Sequence, residues 1–262
     1  MVLIRDFPNI NAVKVGRFHL KPGSVYETIT RSCRMLLREA EGRTLPLWRS
    51  GSATLVKHGS INYVIATRHQ LGIRAGEVPS EDILHTIRVS SGIGLLSNIV
   101  LQRVRFEISN PDEEYHDLLI FEVADLWKTK EADSPYFFPL KRFTNASRRK
   151  SFLVGHPSID GVIDKYHENF SEGAVAEIHI KRSIVDCDYD PNYVSKAEYF
   201  RRYLHSKASH VMDGYSGGAV FSLVGELEHL EVVLDGIVVR AGAKHIHTVD
   251  VDYLVKIICE TK

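Results

Sequence analysis

Short runs of β-branched and aromatic residues recur from residue 52 onwards, and that rhythm constrains the chain more than any other feature. They lie at 52–57, 61–67, 83–89, 98–108, 117–123, 151–155, 173–183, 218–224, 230–239 and 245–249, separated by Gly, Asn, Asp or Pro. Short runs with turn signals between them predict an all-β sandwich or barrels, not alternating βαβ units. A charge-dense dip over 125–150 divides the runs into halves, so two β-modules packed side by side are expected.

Helical signals are confined to the flanks and one insert. Ser24 and Glu27 have capping-box spacing, and Val25, Ile29, Cys33, Leu36 and Leu37 follow at three- and four-residue steps. This predicts an N-terminal helix over 25–40 with Gly42 as its stop. Tyr199, Phe200, Tyr203 and Leu204 among charges predict a short helix within 194–206, and Asp250, Tyr253, Leu254, Ile257 and Ile258 a closing one over 250–259.

Composition removes several classes of function. Hydrophobic residues make up 44% and charged residues 25%, which excludes a disordered or low-complexity chain. Thirty-three basic residues cancel thirty-three acidic ones, so no nucleic-acid partner is expected. The densest basic group, Lys141-Arg142 with Arg148-Arg149-Lys150, reads as a solvated loop. No run approaches the roughly 18 apolar residues of a spanning helix, and Arg5 and Asp6 interrupt any leader, so no membrane partner is expected. Cys33, Cys187 and Cys259 are an odd, widely spaced set, which fits reduced thiols and a cytoplasmic protein.

The sharpest motif is Asp213-Gly214-Tyr215-Ser216-Gly217-Gly218-Ala219-Val220. A serine between glycines ahead of an apolar strand is a tight turn that pushes its hydroxyl outward. Consecutive N–H groups from Gly214 to Ser216 can converge on one point, as an oxyanion hole requires. The hydroxyl needs a base, and His69 ends the strand Val64-Ile65-Ala66-Thr67. A third, buried carboxylate would hold the imidazole's tautomer, and Asp117 heads the apolar run Leu118-Leu119-Ile120-Phe121. His245 and His247 share one strand face with Cys259 downstream, but no second close ligand pair accompanies them, so neither metal nor cofactor is expected.

These segments, in the order His69, Asp117, Ser216, resemble the trypsin-like (chymotrypsin-fold) serine peptidases. Ala66-Thr67-Arg68-His69 is similar to the family's T-x-x-H, Asp117-Leu118-Leu119 to its aspartate strand, and Gly214 to Ala219 to its G-D-S-G-G-P block. Val154-Gly155-His156-Pro157 and Asp235-Gly236-Ile237-Val238 are similar to two further strands, so the resemblance spans about 48–258. It implies two packed six-stranded β-barrels, with an N-terminal helix and a short C-terminal one. Residues 1–47 would be an N-terminal extension. The peptidase domain would span 48–262, with barrels at about 48–130 and 145–250 and a helix at 250–259. It further implies a serine endopeptidase acting on a protein or peptide, with Ser216 as nucleophile, His69 as general base, Asp117 orienting it, and the N–H groups of Gly214 and Ser216 as the oxyanion hole.

Departures from the family are specific. Tyr215 stands where animal digestive members have an aspartate that pairs with a newly cut amino terminus, so this chain looks closer to bacterial or intracellular members. The loop must be held another way, for which the 194–210 insert is the candidate. Val239 replaces a serine that supports the triad aspartate. By the same resemblance His210, Val239, Arg240 and Ala241 line the substrate pocket. His210 in place of an aspartate argues against a preference for Lys or Arg, while His210 with Arg240 would suit an acidic or polar side chain. The alternative is a trypsin-fold binding or regulatory module whose site is inactive or awaits a partner, which leaves a regulatory protein partner open.

Overall fold

Neighbouring side chains on each strand fill different interiors, and this alternation builds the molecule. The computed structural model describes residues 11–39, 47–74, 76–89, 99–106, 117–124, 136–142, 148–157, 163–169, 173–178, 182–206 and 212–260. The chain enters through β1 (Val13–Val15), β2 (Phe18–Leu20) and α1 (Val25–Thr30). It continues through β3 (Cys33–Glu39), β4 (Leu47–His58), β5 (Ile61–Thr67), α2 (Ile83–Thr86), β6 (Ile87–Val89), β7 (Leu101–Arg105), β8 (Leu118–Val123) and β9 (Phe138–Pro139). The second half comprises β10 (Arg148–Gly155), the hairpin β11 (Ile163–Asn169) and β12 (Gly173–Ile178), then β13 (Ser183–Tyr189) and β14 (Phe200–Leu204). It ends with β15 (Ala219–Val224), β16 (Glu231–Ala241), β17 (His245–Asp250) and α3 (Val251–Glu260).

The all-β, two-barrel architecture is as the sequence predicts. The second barrel closes fully, because β15 pairs with both β10 and β16 in the circuit β15-β10-β13-β14-β17-β16. The first is a curled half-barrel in the order β6-β3-β4-β5-β8-β7, whose open edges approach where Ile99 N–H donates to the Val89 carbonyl at 3.0 Å. The segment ahead of residue 48 joins both barrels: β1 runs parallel to β16, and β3 pairs with β4 and β6. Among the described residues no helix is long and apolar enough to cross a membrane.

Period-2 alternation sorts the side chains. On β5, Tyr63 and Ile65 enter a core shared by the two barrels, while Val64 and Ala66 fill the core of the first barrel. On β8, Leu118 and Ile120 take the shared side, and Leu119, Phe121 and Val123 the other. The second barrel mirrors this, with Phe152 and Val154 in the shared core and Leu153 in its own. The shared core fixes how the barrels sit against each other. Truncating an aromatic such as Phe221, wholly buried there, carries a cost of about 3–5 kcal/mol.

Three local expectations fail, each to tertiary pairing. The N-terminal helix ends at Thr30, not at 40, because Cys33–Leu37 is a strand buried on both faces between β4 and β6. A continuously apolar run carries no period that separates helix from strand. Ser24 makes no side-chain cap, since it already lies in the helical region (φ −94°) at the end of a 3₁₀ turn, Pro22–Ser24. The insert 194–206 carries β14 where a helix was expected, because Phe200–Leu204 is needed between β13 and β17 to close the barrel.

Of the basic cluster, Lys141 and Arg142 are exposed outside any strand, but the second part is not a solvated loop. Arg148, Arg149 and Lys150 open β10 and pair with Asp235, Glu226 and Asp186. Arg148 grips Asp235 through two bonds of 2.7 and 2.9 Å, and its guanidinium covers the Tyr189 ring at 4.4 Å. Asp235 is 1% exposed and also accepts from Ser222 Oγ at 2.5 Å. Removing one partner of such a pair strands the other charge, so Asp235→Ala should destabilise the chain by about 3 kcal/mol in chemical denaturation. The double replacement Arg148→Met with Asp235→Leu should recover most of that loss.

Candidate active site

Strand register places the first two site residues together. β5 pairs with β8 so that Thr67 faces Leu118. Arg68 N–H continues the ladder by donating to the Asp117 carbonyl at 2.7 Å, which sets His69 beside the Asp117 side chain. His69 begins a 3₁₀ turn, His69–Leu71, closed by Gly72. Asp117 Oδ1 accepts the His69 backbone N–H at 3.1 Å, and its two oxygens lie 2.8 and 3.0 Å from Nδ1. One carboxylate therefore fixes both the backbone and the ring of His69. With Nδ1 held as a donor, Nε2 is left as the basic nitrogen. The imidazole side chain is 51% exposed, against 19% for Asp117, and Nε2 has no partner among the described residues.

Ser216 sits in the turn between Met212 and β15. Gly214 and Gly217 adopt φ +89° and +75°, a region that side chains oppose. A Cβ on Gly217 would also lie 2.1 Å from the Ser52 carbonyl, so no other residue fits there. Three N–H groups of this turn are already engaged: Tyr215 donates to Met212, Gly217 to Val238 on β16, and Gly218 to Tyr215. Among the described residues the N–H groups of Gly214 and Ser216 have no partner. These are the two donors an oxyanion hole would use.

His69, Asp117 and Ser216 line one cavity of about 810 Å³. Val239, Arg240 and Ala241 line it too; His210 lies outside the described residues. Arg74, Met212 and Asp213 complete a lining that mixes cations and carboxylates. Among the described residues no hydrogen bond joins Ser216 to His69.

Among the described residues the carbonyls of the loop are held by hydrogen bonds from the first barrel, and Tyr203 of the 194–210 insert shares a buried cluster with Met212 and Tyr215. Ser52 Oγ donates to the Gly214 carbonyl at 2.7 Å, and Thr54 Oγ1 to that of Gly217 at 2.8 Å. The Ser216 carbonyl accepts from Ser52 N–H at 3.2 Å and Gln70 Nε2 at 2.5 Å. Gln70 Oε1 in turn accepts from Thr67 N–H and Oγ1 at 3.1 and 2.8 Å, tying the His69 turn to the Ser216 turn. Tyr215 is 2% exposed and packs over Gly155, whose hypothetical Cβ would lie 2.6 Å from the ring. Sequence reasoning missed Ser52, Thr54 and Gln70, since polar residues on a strand and in a turn carry no period that marks a clamp.

The two histidines of β17, His245 and His247, lie 6.4 Å apart between ring centroids. The His247 ring stacks on Phe200 at 5.3 Å and meets Tyr193 edge-on at 5.6 Å. Arg202 and Arg240 are its cross-strand neighbours, which disfavours a cation there. Among the described residues no three His, Cys, Asp or Glu side chains gather to hold an ion. Burial, then Arg240, Arg202 and His245, push His247 down to about 4. The folded chain thus refuses a proton that the unfolded chain accepts, and stability is lost as pH falls from about 6.5 towards 4. Asp250, pushed up to about 6 chiefly by burial, loses stability in the opposite direction as pH rises. A comparison of variants cancels that term. Between pH 7.5 and 4.5, denaturant titrations should show the parent chain losing about 1–2 kcal/mol more than His247→Phe.

No protein-family model matches the chain, and no curated protein matches it.

Proposed function

We propose that the chain is a serine endopeptidase that hydrolyses peptide bonds through an acyl-enzyme on Ser216. The observation that carries this reading is the Asp117–His69 pair, which lines the same cavity as a serine whose turn has, among the described residues, two unpaired N–H groups. His69 takes the Ser216 proton as Oγ attacks the substrate carbonyl, and Asp117 steadies the imidazolium that results. The N–H groups of Gly214 and Ser216 receive the developing oxyanion, where loss of one donor typically costs about 2.7–4 kcal/mol. His69 then returns the proton to the leaving amine, and a water activated by the same histidine releases the acyl group.

Arg74 and Arg240, which line the cavity together with Asp213, support a polar side chain at the cleavage site, with an acidic one favoured over a basic one. A second reading is a trypsin-fold module that a protein partner must order. The absent Ser216–His69 bond among the described residues favours it, although catalytic hydrogen bonds often tighten only with substrate bound.

A fluorophosphonate probe separates the two. The enzyme reading expects rapid labelling of the isolated chain, abolished by Ser216→Ala and slowed on the order of ten-thousandfold by Asp117→Asn, which mis-sets the imidazole tautomer. Robust folding without labelling would favour the module.

A further inference from the structure

A second cavity, of about 510 Å³, opens at the far end of the strands that carry His69. Asn62 and His69 lie seven residues apart on and just beyond β5, roughly 20 Å along an extended chain. The proposed peptidase chemistry makes no use of this place, and the inference stands independently of it.

Three strands lay its floor. Lys57 on β4 faces Asn62 on β5 and Pro139 on β9, so the three side chains share one face. The β1–β2 turn forms the rim. Gly16 adopts φ +59°, and a Cβ there would lie 2.6 Å from Tyr136 Oη and 2.9 Å from Pro139, which brings Arg17 and Phe18 up against the floor. Arg17 lies 5.1 Å from the Phe18 ring, and Phe18 lies 6.2 Å from Tyr136.

The chemistry of the lining divides into three parts. Arg17, Lys57 and Lys141 bring three cations from three separate segments, and no carboxylate lines the cavity among the described residues. Lys141 reaches Glu231 at 3.2 Å, but that carboxylate is shared with Lys14 at 3.3 Å, so a surplus of positive charge remains in a chain with no net charge. Phe18, 40% exposed, stands with Tyr136 as an aromatic wall. Asn62 Oδ1 is buried without a partner, an acceptor that awaits a donor.

We propose that this cavity binds a nucleoside monophosphate whose base carries an exocyclic amine. The base stacks on the aromatic wall, which every nucleobase face allows. Asn62 Oδ1 accepts from the amine, as an asparagine does when it recognises adenine. The phosphate dianion answers the three cations through charge-assisted hydrogen bonds.

Calorimetric titration of the purified full chain with AMP tests this, with adenosine, inorganic phosphate, IMP and phosphotyrosine as comparison ligands. Saturable AMP binding is expected, with adenosine and phosphate each about tenfold weaker, and IMP, which lacks the amine, about fivefold weaker. Lys57→Gln should weaken AMP about tenfold and Asn62→Leu about fivefold, with thermal midpoints as a check on folding. Should Asn62→Leu fail to fold, the exposed Lys57 and Arg17 decide the matter. Ser216→Ala should bind AMP unchanged. Absence of saturation with AMP, or undiminished binding in the Arg17→Gln, Lys57→Gln double variant, overturns the proposal. Tighter binding of phosphotyrosine than of AMP, or of IMP than of AMP, overturns the nucleotide assignment.

Discussion

The contact on which the site depends is the grip of one barrel on a turn of the other. Ser52, Thr54 and Gln70 belong to the first barrel, yet they satisfy the carbonyls of Gly214, Ser216 and Gly217 in the second. Each hydrogen bond contributes only about 1 kcal/mol net, but leaving such a buried carbonyl unpaired would cost up to about 3 kcal/mol. The turn is therefore not free to take another shape while the shared core keeps the barrels in register. Because Gln70 also holds Thr67, the histidine turn and the serine turn are referenced to the same side chain.

Tyr215 completes that arrangement by a different physical means. A charged residue at this point would need a countercharge to be buried, whereas a tyrosine in the core of the second barrel contributes apolar burial at once. Glycine at 155 is what makes room for the ring. The turn is thus packed from below by an aromatic and hydrogen-bonded from the side by β4. Among the described residues the N–H groups of Gly214 and Ser216 are left without a partner.

Much of the architecture was legible along the chain, and the failures are instructive. β5, β8, β15 and β17 announced themselves because their residues are β-branched or aromatic and their ends carry turn residues. The segment 33–39 was illegible because a strand buried on both faces has no polar side to reveal its period. Phe200–Leu204 was misread for a related reason: its arginines and aromatics satisfy a helical spacing nearly as well as a strand's, and only the gap between β13 and β17 decides. Arg148 looked solvated because its partner, Asp235, is 87 residues away in sequence.

The residue types at 69, 117 and 216 and the glycines around the serine are read directly off the chain, so the sequence alone determined which side chains stood available to meet. Alternation along the strands likewise determined that the chain would be all-β, since side chains two apart must share a face. Only the tertiary structure decided which carboxylate oxygens meet Nδ1, that the Ser216 turn is clamped by Ser52, Thr54 and Gln70, and which cavity walls carry charge. Those contacts join residues up to 163 apart, and their geometry follows from barrel closure and strand register, which no local pattern encodes.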